Sequence, residues 1–335
     1  MTAPEVADTR GAIALRQSAR SVRERIFDLL RRFSFAFALV LAVGLLVANL
    51  LTEQGGFGLA DQLANFAPMA LAAMAMTPAI ISGGGGFDLT ISPVMTLATA
   101  FYIVVLNRHG LGGAVSIPII LALGAAIGAL NGLLIVILSI PPVVATLSMY
   151  FVLIGVDLEV APTPQYLNPN WVSHLAGSVG PIPGALIPLA LPLVIWGLLG
   201  LIPYRRALYA VGSNDATAFA SGVDVARVRI AAYSLGGLFA AIGGFSLMAL
   251  LSSVDASLST QYTLLAVAAV SLGGTSLWGG RGGLIGAIFG AAAIYLVSNL
   301  LTITQLDPSW LEVMYGGMLL VAVTLSGLVN ARKVA

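Results

Sequence analysis

The chain contains no cysteine. Disulfide scaffolds and thiolate metal sites are therefore excluded. Histidine is almost as scarce. His109 and His174 are the only two, far apart in sequence, and both read as loop residues near a membrane surface. That argues against a histidine metal site, and no metal is expected. Charge is thin as well. Only 9% of the 335 residues are charged, against about 25% in a soluble domain. Apolar residues make up 59%, and the mean hydropathy is +0.99. No aqueous fold covers that much apolar surface, so the chain reads as an all-α polytopic membrane protein. It has no G-x-x-x-x-G-K-[ST] loop and cannot bind and hydrolyse ATP by that route. No Ser/His/Asp or His-metal grouping is visible, so no catalytic residue is assigned and the chain is not read as an enzyme. No apolar segment carries a carboxylate at its centre; Asp88, Asp157, Arg281 and Glu312 all lie near segment ends. The usual mark of an ion-coupled carrier is thus missing. No nucleic-acid partner is expected.

What is present is a series of ten apolar segments, each bounded by Gly, Pro or charge. They run over 33–51, 63–82, 89–106, 117–140, 143–158, 185–202, 230–251, 262–279, 284–303 and 310–329. Each must be helical, because lipid offers no partner to free backbone amides. The first segment has 19 residues, longer than the apolar core of a cleaved signal peptide. It reads as an uncleaved span behind a basic cytoplasmic tail, residues 1–32. With the N-terminus inside, 14 of the 15 Lys and Arg residues fall on the cytoplasmic side and only Arg108 falls outside. Both termini are then cytoplasmic, with residues 330–335 as the second tail. The segment 33–329 forms one transmembrane domain. The longest outer stretch, 159–184, reads as a helix pair or as a docking surface for an external protein.

The segment 204–229 breaks the apolar pattern. It holds four basic residues around a polar centre, Gly212-Ser213-Asn214-Asp215. Asn214 is suited to cap a helix, with Asp215 at its positive end. The sequence predicts a short helix over 215–221 (Asp215, Ala216, Thr217, Ala218, Phe219, Ala220, Ser221), stopped by Gly222. Asp224 is placed to cap the next span. Such a helix on the basic side suits the gripping of a soluble partner; the bland reading is a solvated loop.

Small residues recur every four positions at Gly124, Gly128 and Gly132, at Gly236, Ala240 and Gly244, and at Gly282, Gly286 and Gly290. This spacing predicts close helix–helix contact. Gly83 to Gly86 predict a turn or a broken helix between the second and third segments. Broken backbone at membrane depth usually lines a cavity, which makes this the better candidate for a pathway, with Phe87 able to stack on a solute. Asp88 either caps the third helix or touches substrate. Asn131 either bonds a neighbouring helix or faces the path, Thr146 either bonds its own helix carbonyls or faces the path, and Trp278 completes that candidate set. Spans two to five and seven to ten form a hypothetical inverted repeat, since 87–98 and 262–273 are faintly alike.

Five blocks resemble one family in order. They are Ser82-Gly83-Gly84-Gly85-Gly86-Phe87-Asp88-Leu89-Thr90, Gly128-Ala129-Leu130-Asn131-Gly132, Pro141-Pro142-Val143-Val144-Ala145-Thr146-Leu147, GSNDATAFASGVDVARVRIAAYSLGGLFAAIGGF over 212–245, and Leu272-Gly273-Gly274-Thr275-Ser276-Leu277-Trp278-Gly279-Gly280. Together they resemble bacterial ABC-transporter permeases of the ribose/xylose/galactose import type, over about residues 60–330. Ile154-Gly155 and Val143 depart from that family's usual pattern. The resemblance implies a permease in the bacterial inner membrane that imports a monosaccharide or related polyol by alternating access. It implies a second permease copy or paralogue, two cytoplasmic ATPase subunits that use ATP and Mg, and an external substrate-binding protein. It implies no cofactor in this chain and makes 214–222 the ATPase-coupling helix. An ion-coupled secondary carrier is the alternative.

Overall fold

The computed structural model describes residues 34–52, 58–168, 170–255, 261–305, 307 and 309–330. The basic tail 1–32, Glu53 and residues 331–335 lie outside these. The fold is helical: α1 Ser34–Thr52, α2 Leu59–Ile81, α3 Ile91–Ala100 (continued by a π-helical turn, Phe101–Leu106), α4 Ser116–Ile137, α5 Pro142–Val160, α6 Leu186–Leu199, α7 Tyr204–Ser213, α8 Asp215–Ala220, α9 Val225–Leu251, α10 Gln261–Leu272, α11 Leu284–Ile303 and α12 Ser309–Asn330. Each of the ten apolar segments corresponds to one of these helices. Among the described residues, α2, α4, α5, α9 and α11 are long and apolar enough to cross a membrane, and the α6–α7 pair, bent by 87°, makes a sixth. One boundary needs correction. The segment 262–279 is helical only to Leu272, because Gly274 takes φ +80 and Thr275 N–H turns back to the Val270 carbonyl. The remainder folds as a loop.

The core forms around α2, in which every residue from Ala67 to Ile81 is buried. Its alanines keep the helix thin, so α9, α10 and α11 all pack directly on it. The tightest seam joins α4 to α9. A Cβ built on Gly124 would overlap the Gly237 carbonyl, one on Gly128 the Tyr233 carbonyl, and one on Gly132 would lie 2.7 Å from Ile230 Cα. The first small-residue stripe thus does what its spacing predicts. On α9, a Cβ on Gly236 would lie 2.9 Å from the Ala75 carbonyl oxygen and one on Gly244 2.6 Å from Ala98 Cβ. The third stripe is different: Gly282 lies in the loop against Thr275, while Gly290 meets the α10 backbone at Ala269.

The two ends of the bundle differ in chemistry. At the far end, short strands pair, β1 (Gln165–Tyr166) with β4 (Ser253–Val254) and β2 (Ser178–Val179) with β3 (Ile182–Pro183), around a 3-10 turn, Trp171–Leu175. The 159–184 stretch is therefore not a helix pair. Arg108 sits here and donates to Gln165. Tyr102 ties α3 to this layer: its hydroxyl donates to the Gly112 carbonyl at 2.7 Å and accepts from Asn170 at 3.0 Å. Tyr102→Phe removes both bonds, an expected loss of about 1 kcal/mol, read as a melting temperature lowered by a few degrees in detergent. An unchanged melting temperature would show that these bonds contribute nothing. The opposite end carries Arg205, Arg206, Arg227, Arg229 and Arg281, on α7, the start of α9 and the 273–283 loop.

Candidate functional site: the basic end and the broken segment above it

At the basic end, α8 has the form its sequence predicts. Asn214 is extended, and its side chain accepts from Thr217 N–H at 2.9 Å. Gly222 closes the helix with φ +81. Its N–H bonds the Phe219 carbonyl, and Val223 N–H bonds that of Ala218, the two bonds of a Schellman stop. Asp224 caps α9 through Arg227 N–H at 3.0 Å. Only Ala218 of α8 is buried, and it holds the helix to the bundle. Asp215, Ala216, Thr217, Phe219 and Ala220 are exposed, as are Ser221 and Gly222. Phe219 is 74% exposed. An aromatic ring held out from a capped helix is a ready contact for another protein.

Two loops and the end of α7 meet backbone on backbone near the start of α8. A Cβ on Gly212 would overlap the Ile81 carbonyl, and one on Gly83 would lie 2.9 Å from Gly212 Cα. Gly280 N–H donates to the Ile81 carbonyl at 3.0 Å, and Tyr209 donates to the Gly282 carbonyl at 2.6 Å. Gly83, Gly84 and Gly85 all have φ between +64 and +74, a left-handed run that side chains resist. The chain therefore leaves α2 in a turn and runs irregularly to α3.

This irregular run ends deep in the bundle. Asp88 is fully buried. Its Oδ1 accepts from the Thr90 N–H at 3.0 Å and from the Thr90 hydroxyl, so it fixes the turn before α3; the N-cap position itself is Thr90 and has no side-chain cap, so Asp88 does not cap the helix. Asn131 on α4 donates to Thr90 Oγ1 at 2.9 Å. Thr146 on α5 donates to the Phe87 carbonyl at 3.3 Å and to its own helix at Pro142. Tyr233 on α9 is buried alongside, and Gly236 faces Asp88 Oδ2. The structure thus brings Phe87, Asp88, Asn131 and Thr146 together. Trp278 is not among them: it is 78% exposed on the loop after α10.

The sequence reading did not show what the first turn of α3 meets. Ser92 N–H donates to Thr263 Oγ1 at 3.2 Å, Thr263 donates to the Leu89 carbonyl at 3.2 Å, and Tyr262 N–H donates to Ser92 Oγ at 3.4 Å. The first turns of α3 and α10 cap each other. From that junction α3 runs to the Tyr102 layer and α10 runs to the Gly280 loop, at opposite ends. Their lengths are roughly 24 Å and 18 Å at 1.5 Å per residue. Each is shorter than the roughly 30 Å hydrocarbon core of a bilayer. The segments 87–98 and 262–273, faintly alike in sequence, hold the starts of α3 and α10.

With this geometry in hand, comparison with known proteins is informative. The family described as "Branched-chain amino acid transport system / permease component" matches residues 58–323. The chain belongs to that family of membrane transport permeases. It is 31% identical over 301 residues to the ribose import permease protein RbsC of Bacillus subtilis (strain 168), covering 86% of this chain and 89% of that protein. It is 32% identical over 297 residues to RbsC of Escherichia coli (strain K12), covering 85% and 89%. The galactose/methyl galactoside import permease protein MglC of Haemophilus influenzae is 26% identical over 330 residues, covering 93% and 98%. No solved structure matches the chain. The resemblance to sugar-import permeases carried by the five blocks holds, and the matches favour a permease subunit over an ion-coupled carrier.

Proposed function

We propose that this chain is the membrane-spanning permease of an ATP-driven importer for a monosaccharide or related polyol. The family description names branched-chain amino acids, whereas the close relatives are permeases for ribose and galactose. The five sequence blocks side with the sugars. The observation that carries the mechanism is α8, a doubly capped helix with Phe219 held outward at the basic end. In this reading α8 docks in a soluble ATPase subunit, which supplies the ATP and Mg chemistry absent from this chain. Two such subunits serve two permease copies, the second identical or paralogous. The far-end layer of short strands and the Trp171–Leu175 turn receives an external binding protein. All ten apolar segments lie within the bacterial inner membrane, α3 and α10 as half-helices, and both termini are cytoplasmic. Phe87, Asp88, Asn131 and Thr146 border the path, since irregular backbone at depth usually lines one.

Co-purification tests the reading. The tagged chain, extracted from its native host in mild detergent, should bring an ATPase subunit at about one copy per permease. That subunit should be lost on substitution within 215–222. A chain that purifies alone and still transports in vesicles without ATP would overturn the proposal.

A further inference from the structure

The coupling helix and the broken segment are joined by one side chain. Arg229 lies on the first turns of α9, and its side chain is only 14% exposed. Its Nη2 donates to both carboxylate oxygens of Asp215, at 3.0 and 2.9 Å. The same nitrogen donates to the Ser82 carbonyl at 3.3 Å. The guanidinium also covers Gly84, where a Cβ would lie 3.0 Å from Nη2. One nearly buried cation thus holds α8, the end of α2 and the left-handed glycine turn. The other ion pair nearby, Arg227 with Asp224, is exposed and joins residues three apart, so it transmits nothing between elements. Further along the same face of α9 stand Tyr233 and Gly236, beside Asp88.

We infer that Arg229 is the positioning residue through which movement of α8 reaches the 82–90 segment. The inference rests on the docking reading of α8. Separating the pair would leave the largely buried Arg229 cation without the Asp215 carboxylate, which costs free energy even though Asp215 itself is half exposed. When α8 shifts with a docked partner, the guanidinium therefore follows Asp215 and draws on the Ser82 carbonyl. The glycines at 83, 84 and 85 allow that turn to flex, because no side chain resists a change of φ there.

The absence of native cysteine gives a direct test. Leu89→Cys places a single thiol on the broken segment. In the complete complex with its ATPase subunit, the rate of modification by a membrane-impermeant maleimide is measured with and without ATP and vanadate. About a tenfold change is expected with Arg229 present and less than twofold with Arg229→Met, while the ATPase subunit still co-purifies. Arg229→Lys, which keeps a charge able to reach both acceptors, should restore most of the response; a merely structural loss would not be rescued this way. An unaltered response in Arg229→Met, or none in the parent, would overturn the inference. If the ATPase subunit fails to bind the parent chain, the docking reading falls, and this inference with it.

Discussion

Gly128→Leu should abolish stable folded protein, while Gly197→Leu should be tolerated. Both glycines are helical, on α4 and α6, and both replacements add the same apolar bulk. A Cβ at Gly128 would overlap the Tyr233 carbonyl and meet Ser234 Cα at 3.1 Å, whereas a Cβ at Gly197 meets nothing within 4 Å. The obstacle at Gly128 is backbone, which cannot swing aside as a side chain does. The α4–α9 seam must open along its length, at a cost on the order of 3 kcal/mol or more. In a membrane little offsets that loss, because lipid tails are as apolar as the separated helix faces and close packing is what holds helices together. Thermal unfolding in detergent and the yield of monodisperse protein report the difference. Equal stability of the two variants would show that the seam does not hold the bundle.

Gly222→Pro should leave the protein inserted in normal amounts and reduce ATP-driven uptake at least tenfold. Gly222 has φ +81, and proline is fixed near −65°. The substitution also deletes the N–H that bonds the Phe219 carbonyl. The stop of α8 is lost and the Phe219 ring is re-aimed, but residue 222 is exposed, so the spans are untouched. Gly222→Ala separates the two effects. Its Cβ meets nothing within 4 Å, and the left-handed backbone costs about 1–2 kcal/mol, locally, so most uptake should survive. Uptake of radiolabelled ribose and galactose by whole cells, beside immunoblots of the membrane fraction, decides the matter. Normal uptake by the proline variant would remove α8 from the mechanism.

Local chemistry made much of this molecule legible from its sequence. Asn214, Gly222 and Asp224 act through bonds to residues three positions away, so their spacing alone gave the form of α8. Gly124, Gly128 and Gly132 announced a close seam because their period matches the helix. What was hidden depended on partners remote in the chain. Hydropathy placed 89–106 and 262–279 as spans but carries no information on depth, so the mutual capping of Ser92 and Thr263 did not show. Trp278 stood in the pathway set, but Gly279 and Gly280, both at positive φ, pack on Gly83 and Ser213 while the Trp278 side chain is left exposed. Arg229 was only one more basic residue until Asp215 and Ser82 were seen to converge on it.

The junction of α3 with α10 also sets a schedule for biosynthesis. Ser92 and Thr263 are separated by 171 residues. At roughly 5–20 residues per second, the amides at the start of α3 wait about ten to thirty seconds for their hydroxyl partner to leave the ribosome. During that time Asp88 has Thr90 and Asn131 as side-chain neighbours. The junction of α3 with α10 is thus among the last contacts of the N-terminal half to close, and a nascent chain that has not yet made Thr263 lacks the hydroxyl that the Ser92 amide and the Leu89 carbonyl share.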